Sequence, residues 1–258
     1  MESVNKTLYI PLYGKSYVSR KGIILRDEKA EQIWSAEEFP LKGKSKSKWL
    51  AYYMGMRSAV FDRWLEEQMD EVPEATVLHI GCGMDSRISR VGERKHIWFD
   101  VDFPEVIAQR KQYFEESPYY NMISGDLREN DWMKTIPGKK AIVILEGVSM
   151  YVTPEQLKTA FENFYDRFED VRILMDCYTE LAAKASKYKN PINDVGVTQV
   201  YGLDDPNMLP GFLREHEMTP AALINQLQGL EQAIFRQVFA GTVSQKMYRL
   251  YEFRGGKR

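Results

Sequence analysis

The chain has few of the residues from which disulfide frameworks and metal sites are built. Its 258 residues include two cysteines, Cys82 and Cys177, and three histidines. The cysteines lie far apart and form no CxxC pair, which indicates buried free thiols in a reducing compartment. The histidines lack the spacing of metal ligands, so the sequence supports no zinc or iron site.

Long apolar runs and an excess of one charge are also missing. The cleanest apolar run, Ala141 to Leu145, is far too short to cross a membrane, and the N-terminus lacks the apolar core of a secretory signal. The net charge of −2 argues against bulk binding to nucleic acid. Lysines recur through residues 42–48, where a solvated loop or an active-site flap fits the pattern. We therefore expect a cytoplasmic globular protein with neither a membrane nor a nucleic-acid partner.

The order of apolar patterns predicts an α/β fold. Residues 49–69 carry apolar side chains every three or four positions, which predicts a helix with one buried face. Strands and helices alternate after it. Strands are expected near 76–80, 96–101, 119–124, 141–145 and 171–176, and helices near 84–91, 104–116, 154–168 and 178–187. Such alternation predicts a parallel sheet covered on both faces. Residues 190–210 read as a loop and candidate lid, followed by a strand at 212–218, a helix at 220–239 and a last strand at 246–253.

Two glycines follow the first predicted strand in the segment TVLHIGCGMDSR. Gly81 and Gly83 allow the sharp turn and the close backbone approach that grip nucleotide-like cofactors. The nicotinamide fingerprint GxGxxG has a third glycine, but Ser86 occupies that position here. The motif is therefore weak support for a nicotinamide cofactor.

Acidic residues end the second, third and fourth predicted strands. They are Asp102, Asp126 and Glu146, and the carboxyl ends of parallel strands surround one crevice. This set suits S-adenosylmethionine, which carries ribose, adenine, ammonium and sulfonium groups but no phosphate. Asp126 as a turn residue and Glu146 as a salt-bridge partner remain alternatives. Arg57, on the apolar helix face, is either a snorkelling or salt-bridged side chain or a clamp for a ligand carboxylate.

Three blocks of the sequence resemble the leucine carboxyl methyltransferase family, and its bacterial branch of tetracenomycin-polyketide-type O-methyltransferases in particular. They are VLHIGCGMDSRISRV, IWFDVDFPEVIAQRKQYF and ILEGVSMYVTPEQL. The resemblance implies a Rossmann-like class I methyltransferase fold with a mostly parallel seven-stranded sheet. It further implies one domain, with an N-terminal helical cap (1–72), a cofactor-binding core (73–176), a lid insertion (177–211) and C-terminal elements that complete the sheet (212–258).

The resemblance also implies roles for particular residues in binding S-adenosylmethionine. Each side chain would hold a different part of the cofactor. The assignments are Gly81 and Gly83 at the methionine end, Asp102 at the ribose, Asp126 and Leu127 at the adenine, Glu146 at the amino-acid part, and Arg57 with Lys15 at the carboxylate.

The methyl acceptor is less well defined by the sequence. Tyr151 follows the EGVSM block and is a candidate for the acceptor pocket, with Tyr201 and Arg214 as candidates on the lid side. No histidine–aspartate pair stands out as a base, which favours a carboxylate or an already acidic hydroxyl. We therefore expect an O-methyltransferase that acts on a small molecule by in-line displacement. A nicotinamide-dependent oxidoreductase and a non-catalytic binding protein are the alternatives.

Overall fold

The apolar runs of the sequence form one seven-stranded sheet in the computed structural model, which describes residues 6–189 and 199–257. The strand order is β3-β2-β1-β4-β5-β7-β6. All neighbours are parallel except β7, which runs antiparallel to β5 and to β6. The strands are β1 (Thr76–Ile80), β2 (Trp98–Asp102), β3 (Tyr120–Ser124), β4 (Lys140–Leu145), β5 (Asp170–Tyr178), β6 (Phe212–His216) and β7 (Tyr248–Gly255). This confirms the predicted α/β fold.

Helices pack against this sheet and extend it at the N-terminus. Within the described residues, helices of four or more residues with α geometry are α1 (Tyr9–Arg20), α2 (Glu28–Glu37), α3 (Lys48–Glu71), α4 (Arg87–Val91), α5 (Pro104–Arg110), α6 (Pro154–Arg167), α7 (Glu180–Lys189), α8 (Ala221–Ile224), α9 (Gly229–Val238) and α10 (Thr242–Met247). Short 3₁₀ turns span Gly43–Lys46, Asp131–Thr135, Ser149–Tyr151 and Pro206–Met208.

Two apolar layers cover the two faces of the sheet. Successive residues of a strand point to opposite faces, so Val77 joins the layer that contains Phe61 of α3, whereas Leu78 joins the layer that contains Phe161 of α6. All five residues of β1 are buried, as expected for a strand covered on both sides. The first layer also takes in Tyr9 and Ile33, which join the N-terminal helices to the core.

The chain reverses its strand order at β1. From β1 the chain moves outward to β2 and β3, then returns to β4 on the other side of β1. The loop after β1 leads towards β2 and the loop after β4 leads towards β5, in opposite directions along the sheet. The two loops therefore separate and leave a crevice at the carboxyl ends of these strands. The functional site therefore has its place between the loops that follow β1, β2 and β4.

The observed elements differ from the predicted ones mainly at their ends. The helix expected over 220–239 is two helices, and Gly229, with a φ of +54°, begins the second. Residues 84–86 precede α4 as a turn, because Gly83 adopts a φ of +50° and ends the extended backbone without starting a helix. Part of the predicted lid, residues 190–198, lies outside the described residues. Residues 199–211 form a loop that holds the turn Pro206–Met208.

Within the described part of the chain, no helix combines the length and the apolar character needed to cross a membrane.

Candidate active site

The turn after β1 is shaped by its two glycines. Gly81 has a φ of +62° and Gly83 a φ of +50°, both in the left-handed region that favours glycine. A Cβ atom on Gly81 would lie 2.5 Å from Cγ2 of Val148, so this position has no room for a side chain. The amide of Gly81 donates to the carbonyl of Val101 (2.8 Å), which ties the turn to β2. Because these glycines carry no side chain, the backbone of the turn packs closely against β2 and against the loop that follows β4.

The two acids of the DVD segment lie in opposite environments. Asp100 is buried in ion pairs and hydrogen bonds with Arg110 and Tyr120, which hold its pKa at about 2 despite burial. Asp102 accepts hydrogen bonds from the amides of Gly83 (2.7 Å) and Phe103 (2.8 Å). It has no ion pair among the described residues, and burial raises its pKa to about 6. Asp102 is therefore the acid that keeps capacity to accept hydrogen bonds from a ligand.

Glu146, directly after β4, is held by charged side chains from two helices. It accepts hydrogen bonds from Ser58 (2.9 Å) and Arg57 (3.0 Å) of α3 and from Arg87 of α4. Although burial alone would raise its pKa, the two guanidinium groups lower it. Glu146 and Arg57 thus form the salt bridge that the sequence offered as an alternative for each of them.

Arg57 nevertheless keeps a free donor. Its Nε donates to Glu146, and its Nη1 donates to Asp176 (3.0 Å) and to the hydroxyl of Tyr248 (2.9 Å). Within the described residues, Nη2 makes no hydrogen bond. Arg57 lines the cavity described below, so its second amino group is available to a ligand carboxylate.

Lys15 reaches the site from the N-terminal helix α1. Its side chain is buried, and Nζ lies 3.3 Å from Oδ2 of Asp85 in the turn that precedes α4. Arg90 also pairs with Asp85 (2.9 Å), so the carboxylate is shared and its pKa is lowered, although burial opposes the shift. An ammonium group with three donors and one partner can bind a second anion.

Asp126 and Leu127 follow β3. Asp126 accepts hydrogen bonds from the backbone amide (2.9 Å) and the side chain of Arg128, which is the geometry of a turn residue. These hydrogen bonds lower its pKa, although partial burial opposes the shift. Leu127 is buried beside it. The carboxylate of Asp126 keeps some exposure, because its side chain is 16% accessible.

One cavity of about 830 Å³ unites most of these residues. Nine of the eleven residues singled out from the sequence line it: Lys15, Arg57, Gly81, Gly83, Asp102, Asp126, Leu127, Glu146 and Tyr151. Its volume falls in the range of cavities that enclose small-molecule ligands and cofactors. Its other walls are mostly apolar, with lining residues that include Leu50, Tyr53, Tyr178, Phe239, Val243, Met247 and Tyr248.

Tyr201 and Arg214 lie outside this cavity, so the structure does not place them in an acceptor pocket. The amide of Tyr201 donates to the carbonyl of Met150 (2.8 Å), and its hydroxyl accepts from Gln199 (3.1 Å). Arg214 is exposed on β6, the outermost strand, three strands away from β4. The loop that holds Tyr201 is hydrogen-bonded to the 3₁₀ turn Ser149–Tyr151, and β6 lies beyond β7 at an edge of the sheet.

The cysteines and histidines are integrated into the fold. Cys82 and Cys177 are buried free thiols, as predicted. His79 hydrogen-bonds Asp100 (3.2 Å), and its burial lowers its pKa. Among the described residues, no group of three or more His, Cys, Asp or Glu side chains is placed to hold a metal ion.

Two solved structures with a similar architecture are described as methyltransferases. A putative methyltransferase from Thermobifida fusca superposes with a TM-score of 0.55 at 12% identity, over 94% of each chain. Magnesium protoporphyrin IX methyltransferase from Synechocystis, solved with bound SAH, gives a TM-score of 0.50 at 10% identity, over 89% of this chain and 93% of the other. At such identities the likeness defines the fold alone, and that fold is the class I methyltransferase fold.

The family is defined by sequence. The model of the family described as leucine carboxyl methyltransferase matches residues 11–165. The chain belongs to the leucine carboxyl methyltransferase family.

Two curated proteins are related to the chain over most of its length. The tetracenomycin polyketide synthesis O-methyltransferase of Streptomyces glaucescens is 24% identical over 212 residues, which is 81% of this chain and 78% of that protein. An S-adenosyl-L-methionine-dependent methyltransferase of Gibberella zeae is 25% identical over 183 residues, which is 64% of this chain and 61% of that protein. Together with the family, these relatives confirm the prediction of a methyltransferase that uses S-adenosylmethionine. They decide against the nicotinamide-dependent alternative.

Sequence reasoning missed several residues that complete the site. Asp85 and Arg87 follow the glycine turn and pair with Lys15 and Glu146, and Asp176, near the end of β5, pairs with Arg57. The spacing of acids at strand ends is a signal that could have found Asp176. Asp85 and Arg87 could not be found in this way, because the partner of a buried charge can lie far away in the sequence and then leaves no local sequence pattern.

Proposed function

We propose that the protein is an O-methyltransferase that transfers a methyl group to a carboxylate or acidic hydroxyl of a small molecule. The observation that carries this proposal is the continuity of a single cavity. Its lining combines the glycine turn and the acids at the carboxyl ends of β2, β3 and β4 with many apolar and tyrosine side chains. A polar cofactor and an apolar acceptor therefore fit side by side.

The donor set fits S-adenosylmethionine. Asp102, ionised and without a cation partner among the described residues, suits the two hydroxyls of a ribose. The positive charges of Lys15 and Arg57 suit the cofactor carboxylate, and Glu146 stands beside Arg57 at the same end. Asp126 and Leu127 would frame the adenine. The absence of a bulky side chain at Gly81 and Gly83 leaves backbone in reach of the ligand.

When bound, S-adenosylmethionine supplies a methyl group on a positively charged sulfur, which is already a good leaving group. The protein therefore has to orient the acceptor towards the methyl group and to exclude water from the reacting atoms. Alignment of two bound reactants can lower the barrier by roughly 7–11 kcal/mol. The apolar walls around Tyr151 keep water away from the reacting atoms.

The name of the Streptomyces relative, a tetracenomycin polyketide synthesis O-methyltransferase, supports an acceptor of the polyketide type. The tyrosines, methionine and valine that line the cavity are suited to planar aromatic surfaces.

Calorimetric titration with S-adenosylmethionine, followed by a methyl-transfer assay with labelled cofactor on a panel of carboxylic acids and phenols, tests the proposal. We expect saturable cofactor binding and labelled product from at least one aromatic acid or phenol. No binding heat at millimolar cofactor would contradict it. Binding of the cofactor without labelled product from either class would favour the non-catalytic alternative.

A further inference from the structure

Tyr53 lines the cavity from the long helix α3. It precedes Arg57 by four positions in the sequence, so the two side chains share one face of the helix and lie about one turn apart. Leu50, about one turn away in the other direction, also lines the cavity. Tyr53 therefore lies between a charged part and an apolar part of the cavity wall.

The hydroxyl of Tyr53 has no hydrogen-bond partner among the described residues. The neighbouring Tyr248 differs, because its hydroxyl donates to Asp176 and accepts from Arg57. Few side-chain oxygen and nitrogen atoms of the described residues are enclosed by protein without a hydrogen bond, and the oxygen of Tyr53 is not one of them. This oxygen is therefore reached from the cavity that Tyr53 lines.

Packing and electrostatics make this hydroxyl a fixed hydrogen-bond donor. The ring of Tyr53 contacts the ring of Tyr248 (centroids 5.9 Å apart), which in turn contacts Tyr178 (4.7 Å). Burial raises the pKa of Tyr53, although the positive charge of Arg57 opposes the shift. The hydroxyl therefore keeps its proton at neutral pH and can donate it to a hydrogen bond with a ligand.

An ionised acceptor needs a donor of this kind. A carboxylate or phenolate that leaves water loses hydrogen bonds, which is costly unless the protein replaces them. The positive sulfur of the cofactor balances the charge of such an acceptor but donates no hydrogen bond to it. Lys15 and Arg57 already pair with carboxylates of the protein and serve the cofactor carboxylate in the proposed function. The protonated hydroxyl of Tyr53 supplies a donor that neither of these uses requires.

We propose that Tyr53 donates a hydrogen bond to the ionised oxygen group of an aromatic acceptor and thereby positions it for methyl transfer. The inference rests on the proposed function and adds a residue to the acceptor side of the same cavity. A lone pair of the acceptor oxygen forms the bond to the methyl carbon while the carbon–sulfur bond breaks, and the electron pair of the broken bond stays on sulfur. The acceptor loses its negative charge and the sulfur its positive charge, and Tyr53 keeps its proton throughout.

Equilibrium dialysis with an unreactive complex tests the contact. Sinefungin carries an amino group in place of the methylsulfonium of the cofactor, so its complex with the protein binds an acceptor without methylating it. The probes are 2-naphthoate, 4-nitro-1-naphthol, which is ionised at pH 7.5, and naphthalene, which has the same rings without an oxygen. We expect the wild-type complex to bind at least one of the two anions about tenfold more tightly than naphthalene. Binding of neither anion in preference to naphthalene would overturn the inference.

Tyr53→Phe removes the hydroxyl and leaves the ring. Loss of a hydrogen bond to a charged group lowers affinity by about tenfold to hundredfold, and we expect a loss in this range for the preferred anion. The affinities for naphthalene and for sinefungin should stay within about threefold, because neither places a charged oxygen against the hydroxyl. Equal losses for the anion and for naphthalene would reveal a packing role only and would contradict the inference.

Tyr251→Phe is the matched control. Tyr251 lies on β7 and faces the other side of the sheet, where its hydroxyl accepts from Arg249 (2.9 Å). It should keep the wild-type affinity for every probe. If Tyr53→Phe fails to fold, the absorption band of 4-nitro-1-naphthol bound to the wild-type complex replaces it as the test. A donor to the ionised oxygen shifts that band to shorter wavelength than in an aprotic solvent, and a band at the aprotic position would refute the hydrogen bond.

Methyl transfer from labelled S-adenosylmethionine to the preferred anion gives the kinetic measurement. In Tyr53→Phe we expect the KM for the acceptor to rise with little change in kcat, since the hydrogen bond forms before the methyl group moves. A fall in kcat at an unchanged KM would argue against the positioning role. Failure of the wild-type protein to bind sinefungin or S-adenosylmethionine would instead be a failure of the proposed function, and the inference would fall with it.

Discussion

At the scale of single residues, the two aspartates of β2 show how environment divides identical side chains. Asp100 is neutralised by Arg110 and serves packing, whereas Asp102 accepts two backbone amides and faces the cavity. The sequence places both acids at the strand end, and the resemblance to a family singles out the second. The two aspartates differ because Arg110, the last residue of the following helix α5, pairs with Asp100.

Asp102→Asn tests the ribose role of Asp102. Hydrogen bonds to a charged group contribute roughly 1.5–3 kcal/mol, so we expect the affinity for S-adenosylmethionine to fall by about tenfold to hundredfold. Isothermal calorimetry at pH 7.5 measures the change. Asp131→Asn, at an exposed position on the far side of the loop after β3, is the control and should bind as the wild type does. Unchanged affinity in Asp102→Asn would exclude the ribose role.

The pKa of Asp102 predicts a pH dependence of cofactor binding. Burial raises that pKa to about 6 in the ligand-free protein, and only the ionised carboxylate offers acceptors to both ribose hydroxyls. The affinity should therefore be constant above about pH 7 and fall as the pH drops through 6. Titrations between pH 5 and 8 with the wild-type protein and Asp102→Asn measure it. An identical pH profile in the two proteins would refute the assignment.

At the scale of elements, Asp27 joins two helices that are distant in sequence. It is the N-cap of α2, accepting from the amide of Ala30 (2.8 Å), and it also accepts from Ser86 (2.6 Å) and Arg90 (2.5 Å). Ser86 is the N-cap of α4, and Arg90 lies within that helix. One buried carboxylate therefore joins α2 to the segment that follows the glycine turn and to α4.

Asp27→Ala should lower the free energy of unfolding by about 3–5 kcal/mol, because it leaves buried polar partners unsatisfied and removes a helix cap. Thermal and urea unfolding followed by circular dichroism measure the change. Thr153→Ala is the control, since Thr153 caps α6 at an exposed position in a capping box. Its cost should be about 1 kcal/mol. A similar small cost for Asp27→Ala would show that the contacts of Asp27 with α4 add little.

At the scale of the whole molecule, a buried charge network links the helical cap to the sheet. Arg57 and Arg87 join α3 and α4 to the ends of β4 and β5 through Glu146 and Asp176. Each charge is removed from water and depends on its partners. The network therefore makes the cap, the cofactor turn and the sheet one cooperative unit.

The network predicts loss of stability in acid. The pKa of Glu146 is lowered by its guanidinium partners and that of Asp100 is about 2. Acids with a lowered pKa stabilise the fold above their unfolded-state pKa, and this contribution is lost as the pH falls from about 5 towards 2. Asp102, with its raised pKa, acts in the opposite sense between pH 6 and 4. The melting temperature, followed by circular dichroism, should therefore change little down to about pH 5 and fall steeply below pH 4.

Glu146→Gln tests the source of that acid sensitivity. It should cost about 3–5 kcal/mol at pH 7, since two buried guanidinium groups lose their common partner, and its melting temperature should fall less steeply in acid. Glu169→Gln removes an exposed pair with Lys139 and is the control, whose unfolding should match that of the wild type because solvent screens the pair. Parallel pH curves for Glu146→Gln and the wild type would contradict the role of this residue.

Local patterns determined much of this protein. Apolar runs of five or six residues define β1 and β4, the glycines define the turn between β1 and α4, and the acids mark the edge of the sheet where the cavity opens. Each of these depends on neighbours in sequence, because backbone geometry and strand periodicity are local. These patterns, together with the resemblance to the family, picked out eleven candidate residues, and nine of them line one cavity.

Only the tertiary structure decided which distant side chains meet. Tyr248 and Asp176 are 72 positions apart and come together because β7 inserts antiparallel beside β5. The addition of β6 beyond β7 carries Arg214 away from the cavity. Such pairings follow from strand order and from the energetic need to neutralise buried charge, and neither is visible in a stretch of sequence.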